Sequence, residues 1–175
     1  CEIRKLNNKT AKYFLENNHL QGYSHSSIKN GLFYNNELVS LMSFNKKRKI
    51  MNFSFTEEYE IIRYCNKINY SVIGGASKLF AYFIKNYNSE KIVSYVDRSH
   101  SNGNLYYQLG FIIDGKTPPN YYYIVDNIRK HKFNFRKDKL VREGFDINKT
   151  EHQIMLERGI FRIYNAGNLK FKYQK

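Results

Sequence analysis

The stretch Ser71-Val72-Ile73-Gly74-Gly75-Ala76-Ser77 decides the fold, because it sets a glycine turn between an apolar segment and an amphipathic one. Residues 59–66 before it are rich in Ile, Tyr and Cys and predict a strand. After it, apolar side chains recur at helical spacing and predict a helix over residues 76–87. Glycine at such a turn leaves backbone N–H groups unobstructed at the helix N-terminus, where the helix dipole also favours a phosphate. The stretch therefore predicts a pyrophosphate site, with a plain strand-to-helix turn as the alternative.

A second motif, Leu105-Tyr106-Tyr107-Gln108-Leu109-Gly110-Phe111, follows later in the chain. Residues 104–109 predict a short helix that stops at Gly110. At this spacing the two motifs together resemble the GNAT acyltransferases, whose coenzyme loop reads Gln/Arg-x-x-Gly-x-Gly/Ala and whose later helix commonly ends in Leu-Tyr-Glu-Lys-Leu-Gly-Phe. Ser71 stands where that family has Gln or Arg, whereas Gly74 and Ala76 fall on the small positions.

This resemblance implies an α/β (α+β) fold with a mixed central sheet flanked by helices. It also implies acetyl-CoA or a related acyl-CoA as cofactor, held between two parallel strands that splay apart. Tyr106 occupies the position at which many members carry a tyrosine that protonates the departing thiolate, although Tyr106 and Tyr107 are equally readable as core and surface residues of an aromatic-rich chain. The residues that would contact the pyrophosphate are Val72, Ile73, Gly74, Gly75, Ala76 and Ser77.

The remaining patterns predict the order β-α-β-β-β-α-β-α-β-β, which is the order of the GNAT fold. Asn35-Asn36 is a strong hairpin signal because Asn tolerates positive φ. Residues 91–96 form a β-branched run that fits a buried parallel strand. We expect the final strand pair to join residues 111–113 with residues 121–125.

A closer resemblance covers residues 17 to 113 and is carried by the segments around His19, Tyr23, Arg63 and Asp97. These segments are similar to the Mom-type DNA-modification proteins of phages, which append a small group to the exocyclic amine of adenine in duplex DNA. The resemblance implies a nucleobase as acceptor. It implies Tyr106, Asp97 and His19 as catalytic residues and Tyr23, Ser24, Arg63 and Asn102 as substrate contacts.

Each of these residues also has an ordinary structural reading. Arg63 and Asp97 could form one buried ion pair, Ser24 could cap a helix, and His19 could be a loop histidine.

The charge is strongly positive, with a net +14 and a pI near 9.7, and such a field draws polyanions. We expect a GNAT-like domain over residues 1–125 and a basic extension over residues 126–175. Within the extension, Phe133 and Phe135 lie among basic residues, which resembles a module of phage homing-endonuclease-like proteins and implies DNA and a nuclease domain or partner. A solvated charged face is the alternative. The predicted nucleic-acid contacts are Lys46, Lys47, Arg48, Arg129, Lys130, Lys132, Arg136 and Lys137.

Composition narrows the remaining possibilities. No apolar run has the length of a membrane span, no signal peptide is visible, and the two cysteines are too few for a disulfide framework or a zinc site. We therefore expect a cytoplasmic protein without a metal, in the infected host cell if a phage encodes it. Three functions stay open: an acyl-CoA-dependent transferase acting on a nucleobase amine, a non-catalytic DNA-binding module, and a GNAT acetyltransferase acting on a protein or small amine.

Overall fold

The structure, a computed structural model, describes residues 1–46 and 58–174. The strands in these residues form two sheets. The chain forms two compact units. Unit 1 comprises Cys1–Val96, Asn102–Gly115 and the residues from Leu169 onward, and unit 2 comprises Asp97–Ser101 and Lys116–Asn168. The elements in chain order are β1 (Glu2–Lys5), α1 (Asn8–Asn18), β2 (Ile28–Tyr34), β3 (Glu37–Lys46), β4 (Glu58–Asn66), α2 (Gly75–Asn86), β5 (Lys91–Asp97), α3 (Asn104–Gln108), β6 (Ile112–Lys116), β7 (Tyr121–Val125), β8 (Ile128–His131), a 3₁₀ turn (Lys132–Phe135), α4 (Lys137–Arg142), α5 (Glu151–Glu157), β9 (Arg162–Tyr164) and β10 (Asn168–Gln174).

Unit 1 is built on a seven-stranded sheet with the order β1-β2-β3-β4-β5-β10-β6. Strands β1 to β4 are antiparallel neighbours, and β4 pairs with β5 in parallel. The apolar side of α2 packs on one face of the sheet, where Phe44 and Phe83 stack with their ring centroids 3.8 Å apart. Ala11, Phe14 and Leu15 of α1 pack against Leu41 of β3 on the other face. Both faces of the sheet are thus covered by a helix.

The hairpin between β2 and β3 confirms the interpretation of Asn35-Asn36. These two residues have φ of 47° and 62°, the left-handed conformation that a two-residue turn requires. The ten predicted elements also occur in the predicted order, from β1 to β7.

The edge of the main sheet differs from the expectation. Residues 121–125 do not pair with the strand after α3; they form β7, the central strand of the second sheet. Instead the C-terminal strand β10 lies between β5 and β6. Its Phe171 is fully buried in the main core, and both Lys170 and Lys172 form ion pairs with Asp114 of β6. Because the last strand returns to the main sheet, the residues from Leu169 onward belong to unit 1, whereas the sequence predicts one basic extension over residues 126–175.

Unit 2 has its own core beneath a three-stranded sheet with the order β8-β7-β9. Tyr123, Leu140, Ile154 and Met155 are buried together there. The carboxylate of Glu151 accepts hydrogen bonds from the hydroxyls of Tyr121 and Tyr123, at 3.0 and 2.8 Å. Unit 2 therefore has an apolar core supported by a partly buried hydrogen-bond network.

None of the helices in residues 1–46 and 58–174 is long and apolar enough to cross a membrane. The same residues contain no group of three or more His, Cys, Asp or Glu side chains that could hold a metal ion.

Candidate functional site

The central feature of unit 1 is a gap between two parallel strands. The β4–β5 ladder runs only from Glu58 opposite Lys91 to Ile61 opposite Ser94. Beyond that point β4 continues to Asn66 and β5 continues to Asp97 without further pairing. The two strands therefore separate past Ile61 and leave unpaired backbone on both sides of the gap.

A β-bulge in β4 lies at the start of this gap. In the pairing with β3, Ser43 is opposite Arg63 and Phe44 is opposite Ile61, so Ile62 is an extra residue. Without the bulge Arg63 would share a sheet face with Ile61, because side chains alternate along a strand. With it, Arg63 lies on the α1 face together with Glu60. The bulge thus moves a guanidinium out of the apolar core and onto the opposite face beside the gap.

Tyr106 of α3 lies at the start of the gap, on the α2 face of the sheet. Its hydroxyl lies 2.7 Å from the hydroxyl of Ser94, the last residue of β5 that pairs with β4. Burial raises the pKa of Tyr106, while Ser94 and Arg63 act in the opposite direction. Tyr106 is therefore protonated at neutral pH. When Ser94 donates its proton to the Tyr106 oxygen, the phenol proton is free to be donated into the gap.

His19 and Arg63 form the α1 side of the site. The imidazole Nδ1 of His19 accepts a hydrogen bond from the Gln21 N–H at 3.0 Å, and Arg63 donates from Nε to the Gly22 carbonyl at 3.2 Å. Burial and the neighbouring Arg63 charge lower the pKa of His19 to about 4. Burial also lowers the pKa of Arg63, whose electrostatic neighbours include Tyr106 and Glu60. The structure thus brings together His19, Arg63 and Tyr106.

The predicted phosphate loop lies between β4 and α2. Gly74 precedes the helix with φ of 71°, and no side chain caps the helix N-terminus. The Gly75 N–H donates to the Val72 carbonyl at 3.1 Å, and the first helical bond runs from Lys78 N–H to the Gly74 carbonyl. Among the described residues, the N–H groups of Ile73, Gly74 and Ser77 have no hydrogen-bond partner. Three of the predicted amides are therefore available to an anion.

Tyr64 of β4, which sequence reasoning missed, supports this loop from below. Its hydroxyl donates to Asn66 Oδ1 at 2.9 Å. Burial raises the pKa of Tyr64, and a hydrogen bond from the Ala76 N–H is one of the interactions that lower it. The Ala76 amide therefore already has a partner in the Tyr64 hydroxyl. A Cβ added to Gly75 would lie 2.9 Å from Cγ1 of Val72 and 3.5 Å from the Tyr64 hydroxyl. Gly75 thus allows the loop to pack tightly, whereas Gly74 and Ser77 are exposed.

A groove of about 490 Å³ extends from Ser77 along α2. Its apolar floor includes Phe80, Ile84 and Tyr173, and Lys85 lies farther along the helix. A negatively charged ligand in this groove could interact with three kinds of group: the exposed loop amides, the Ser77 hydroxyl and the Lys85 ammonium.

The other predicted site residues have structural partners of their own. The Asp97 carboxylate accepts a hydrogen bond from the Ser99 N–H at 2.9 Å and forms the turn after β5. Asn102 accepts from the Asn104 N–H at 3.1 Å, at the start of α3. Tyr23 packs against the α1 core, and Ser24 is partly buried in the loop after α1. Roles for these four residues in substrate binding or catalysis stay predictions.

Most of the predicted nucleic-acid contacts interact within unit 2. Arg129 lies over the ring of Tyr122, Lys132 over Tyr121 and Arg136 over Phe133. Lys130 pairs with Asp126, and Lys137 begins α4. Lys46 ends β3, whereas Lys47 and Arg48 lie outside the described residues. Contact with nucleic acid remains a prediction for all of them.

Solved structures with the same architecture are acetyltransferases. The ribosomal-protein-S18-alanine N-acetyltransferase of Escherichia coli superposes with a TM-score of 0.58 at 12% identity, covering 99% of this chain and 92% of that one. A Bacillus subtilis acetyltransferase in complex with CoA gives 0.54 at 14% identity, covering 99% and 97%. A Bacillus anthracis protein assigned as a streptothricin acetyltransferase, in complex with acetyl coenzyme A, gives 0.55 at 12% identity, covering 99% of both chains.

Sequence comparisons add no further relationship. No protein-family model matches the chain, and a search of curated proteins finds no match. The resemblance to Mom-type and homing-endonuclease-like phage proteins is therefore not supported by any of these comparisons. At these identities the structural likeness shows the fold alone, and by its sheet order, its flanking helices and its separated parallel strands this chain has the GNAT fold.

Proposed function

We propose that this protein is an acyl-CoA-dependent acyltransferase that acylates the amine of a protein or a small molecule. The observation that carries the proposal is the separation of β4 and β5 past Ile61. The unpartnered N–H groups of Ile73, Gly74 and Ser77 lie in the turn that joins β4 to α2, and the Tyr106 hydroxyl lies 2.7 Å from the Ser94 hydroxyl, where the pairing ends. The structural neighbours named above include one enzyme that acts on a protein and one assigned to a small molecule. The two neighbours whose names give an acceptor name a protein and streptothricin, so the protein or small-amine function is favoured over DNA modification.

The residues present fit an acyl-CoA. The N–H groups of Ile73, Gly74 and Ser77 would hold the pyrophosphate, because they are unpartnered and the helix dipole adds to their positive potential. When bound, acyl-CoA supplies an acyl group activated as a thioester. The unpaired edges of β4 and β5 offer backbone groups to a pantetheine chain, which carries amides of its own.

Tyr106 and His19, which lie beside the gap, have different roles in the proposed reaction. Tyr106 holds its proton at neutral pH because burial raises its pKa, which is the state that a proton donor requires. His19 is neutral at the same pH, and because its Nδ1 accepts from the Gln21 N–H, its proton is on Nε2. This Nε2–H has no hydrogen-bond partner among the described residues and can donate a hydrogen bond to the acceptor molecule. With a pKa of about 4, His19 is a weak base, and its main contribution is to orient the acceptor.

The proposal is tested by incubating the purified protein with acetyl-CoA and three classes of acceptor: peptides with free N-terminal amines, small amines, and duplex DNA. Release of free CoA thiol and the mass of each acceptor are measured. We expect acetylated product in the peptide or small-amine arm and unmodified nucleosides in the DNA arm. Acetylation of DNA alone would overturn the proposed substrate class.

Tyr106→Phe tests the catalytic assignment. Loss of the phenol proton should lower kcat by roughly 100-fold, the lower end of the usual contribution of a positioned proton donor, and leave acetyl-CoA affinity unchanged. Tyr107→Phe is the matched control, because Tyr107 is 49% exposed and its ring also packs against Phe171. Equal activity of the two variants would remove Tyr106 from the chemistry.

A further inference from the structure

A row of polar side chains crosses three strands on the α1 face of the sheet. Lys29 of β2 is opposite Ser43 of β3, and Ser43 is opposite Arg63 of β4. Directly opposed residues in antiparallel strands share a face, so these three side chains project to the same side. Glu60, which is opposite Asn45 and lies two residues before Ile62, belongs to this face as well. The row ends at Arg63, beside the gap between β4 and β5.

Two members of this row, Lys29 and Ser43, are buried where apolar residues are usual, and Arg63 is partly buried. Lys29 is 8% exposed and Ser43 is 0% exposed. The hydroxyls of Ser43 and of the neighbouring Ser26 are fully buried and have no hydrogen-bond partner among the described residues. Buried polar groups are normally paired, because an unpaired one costs about 1–3 kcal/mol. Each of these two hydroxyls lacks a partner, and a bound ligand is one group that would complete their hydrogen bonding.

The charges in the row do not balance. The Lys29 ammonium donates to the Ser26 carbonyl and forms no ion pair among the described residues. Arg63 donates to the carbonyls of Gly22 and Ile62. Carbonyl oxygens accept hydrogen bonds but do not neutralise a cation, and Glu60 is the carboxylate that interacts electrostatically with Arg63. Among the described residues of this row there are therefore two cations and one carboxylate, and His19 adds no charge at neutral pH.

We propose that the acceptor amine carries an anionic group, a carboxylate or a phosphate, and that Lys29, Ser43 and Arg63 hold this group on the α1 face while the amine lies at the gap. The proposal rests on the acyltransferase function above and names its substrate class. A bound anion would neutralise the excess cation and accept a hydrogen bond from the Ser43 hydroxyl. Charge-assisted hydrogen bonds of this kind are about twice as strong as neutral ones, so they would discriminate between an anionic and a neutral acceptor.

The test uses pairs of amines that differ only in the anionic group: glycine and glycinamide, a dipeptide and its amide, and phosphoethanolamine and ethanolamine. The kcat/KM for acetylation by the full chain is measured for each member. We expect the anionic member of at least one pair to be favoured by about tenfold or more. The first two pairs report on carboxylate and the third on phosphate.

Two variants identify the residues responsible. Lys29→Met keeps the length of the side chain and removes its charge, and should reduce the preference for the anionic member about tenfold while the Kd for acetyl-CoA stays unchanged. Arg63→Gln provides a second measurement if Lys29→Met fails to fold. Lys12→Met on the exposed side of α1 is the control for a loss of charge elsewhere, since Lys12 is 59% exposed.

Two failures are distinguishable. Absence of acetyl-CoA binding would remove the acyltransferase function itself. If acetyl-CoA binds but neutral amines react as well as anionic ones, or no member of any pair reacts, or folded Lys29→Met and Arg63→Gln keep the wild-type preference, the anionic-acceptor proposal is overturned and the coenzyme assignment stands.

Discussion

At the residue scale, the environment of His19 differs most from what its residue type suggests. A loop histidine is usually half-protonated near pH 6.5, but burial beside Arg63 lowers the pKa of His19 to about 4. Its Nδ1 accepts from the Gln21 N–H, so the neutral ring carries its proton on Nε2. The family resemblance implies a catalytic role for His19. The structure gives the physical reason why its ring is neutral, namely burial beside Arg63.

This shift predicts a pH dependence of stability. The unfolded chain takes up a proton at His19 near pH 6.5, whereas the folded chain does so only near pH 4. The free energy of unfolding should therefore be unaffected by His19 above pH 6.5 and should fall as the pH drops from 6.5 to about 4, by on the order of 1–2 kcal/mol after allowance for solvent screening.

The measurement is urea unfolding at several pH values for wild type and His19→Asn. Asn can still accept from the Gln21 N–H but does not titrate. The difference between the two proteins isolates His19 from the carboxylates that titrate in the same range. Parallel curves for both proteins would contradict the lowered pKa.

Other residues of the site carry no sequence signal of their own. Glu60, Tyr64 and Ser94 look like ordinary strand residues, and strict alternation would have placed Arg63 with Ile61. The bulge at Ile62 places Arg63 on the opposite face from Ile61. Residues 58–66 contain no glycine or other residue type that would predict a bulge. Loop residues 72–77 were accessible to prediction because glycine spacing reflects a local backbone requirement. The polar row across β2 to β4 depends on register, which only the folded sheet defines.

At the element scale, β10 holds α3 in place. Gly103 precedes α3 with φ of 82°, and a Cβ there would lie 2.4 Å from Cε2 and Cζ of the buried Phe171 ring. Phe171 also stacks on Tyr106, with the ring centroids 5.3 Å apart. The position of the proposed proton donor thus depends on a strand at the far end of the chain.

Gly103→Ala should therefore be strongly destabilising. The left-handed conformation costs about 1–2 kcal/mol for Ala, and the clash with Phe171 adds roughly another 1–3 kcal/mol. Gly22→Ala is the control, because Gly22 has a φ of 63° but no atom within 4 Å of an added Cβ. Chemical denaturation of both variants should show the larger loss of stability for Gly103→Ala. Equal losses would contradict the packing of Phe171 against Gly103.

The main departure from expectation also belongs to this scale. The Asn35-Asn36 hairpin is a local structure and was predictable, since its two strands adjoin the turn. The partner of β6 was not, because β10 is separated from it by all of unit 2 from β7 to β9. Short apolar runs such as residues 121–125 indicate a strand without indicating its partner, so the prediction that this strand pairs with the one before it is wrong.

At the scale of the whole molecule, the chain carries two cores that do not follow its linear order. The core of unit 1 contains residues up to Val96, then Leu109 and Phe111, and finally Phe171 near the end of the chain. The core of unit 2 is formed by Tyr123, Leu140, Ile154 and Met155, which lie between these last two parts in sequence. The positive charge is shared by both units, so it does not mark either one as an appended tail.

Two deletions test this organisation. The Thr117 N–H donates to the Asn168 carbonyl at 2.8 Å, so a short Gly-Ser linker in place of residues 118–167 should preserve the fold of unit 1 and its acetyl-CoA affinity. A chain ending at Asn168 should lose both, since it lacks the buried Phe171. Circular dichroism and thermal unfolding report the fold of each protein. A folded, coenzyme-binding chain without residues 169–175 would contradict the position of β10 in the sheet.

The central claim is that the open amides at the start of α2 bind the pyrophosphate of an acyl-CoA, and titration calorimetry with acetyl-CoA tests it most directly. Ser77 is exposed in the first turn of α2, so Ser77→Asp should leave the fold intact, because a carboxylate there complements the helix dipole. The same carboxylate would repel the pyrophosphate and should weaken binding by about tenfold or more, whereas the neutral Ser77→Asn should bind much as wild type does. No heat of binding to the wild-type protein, or equal affinity of wild type and Ser77→Asp, would contradict the account.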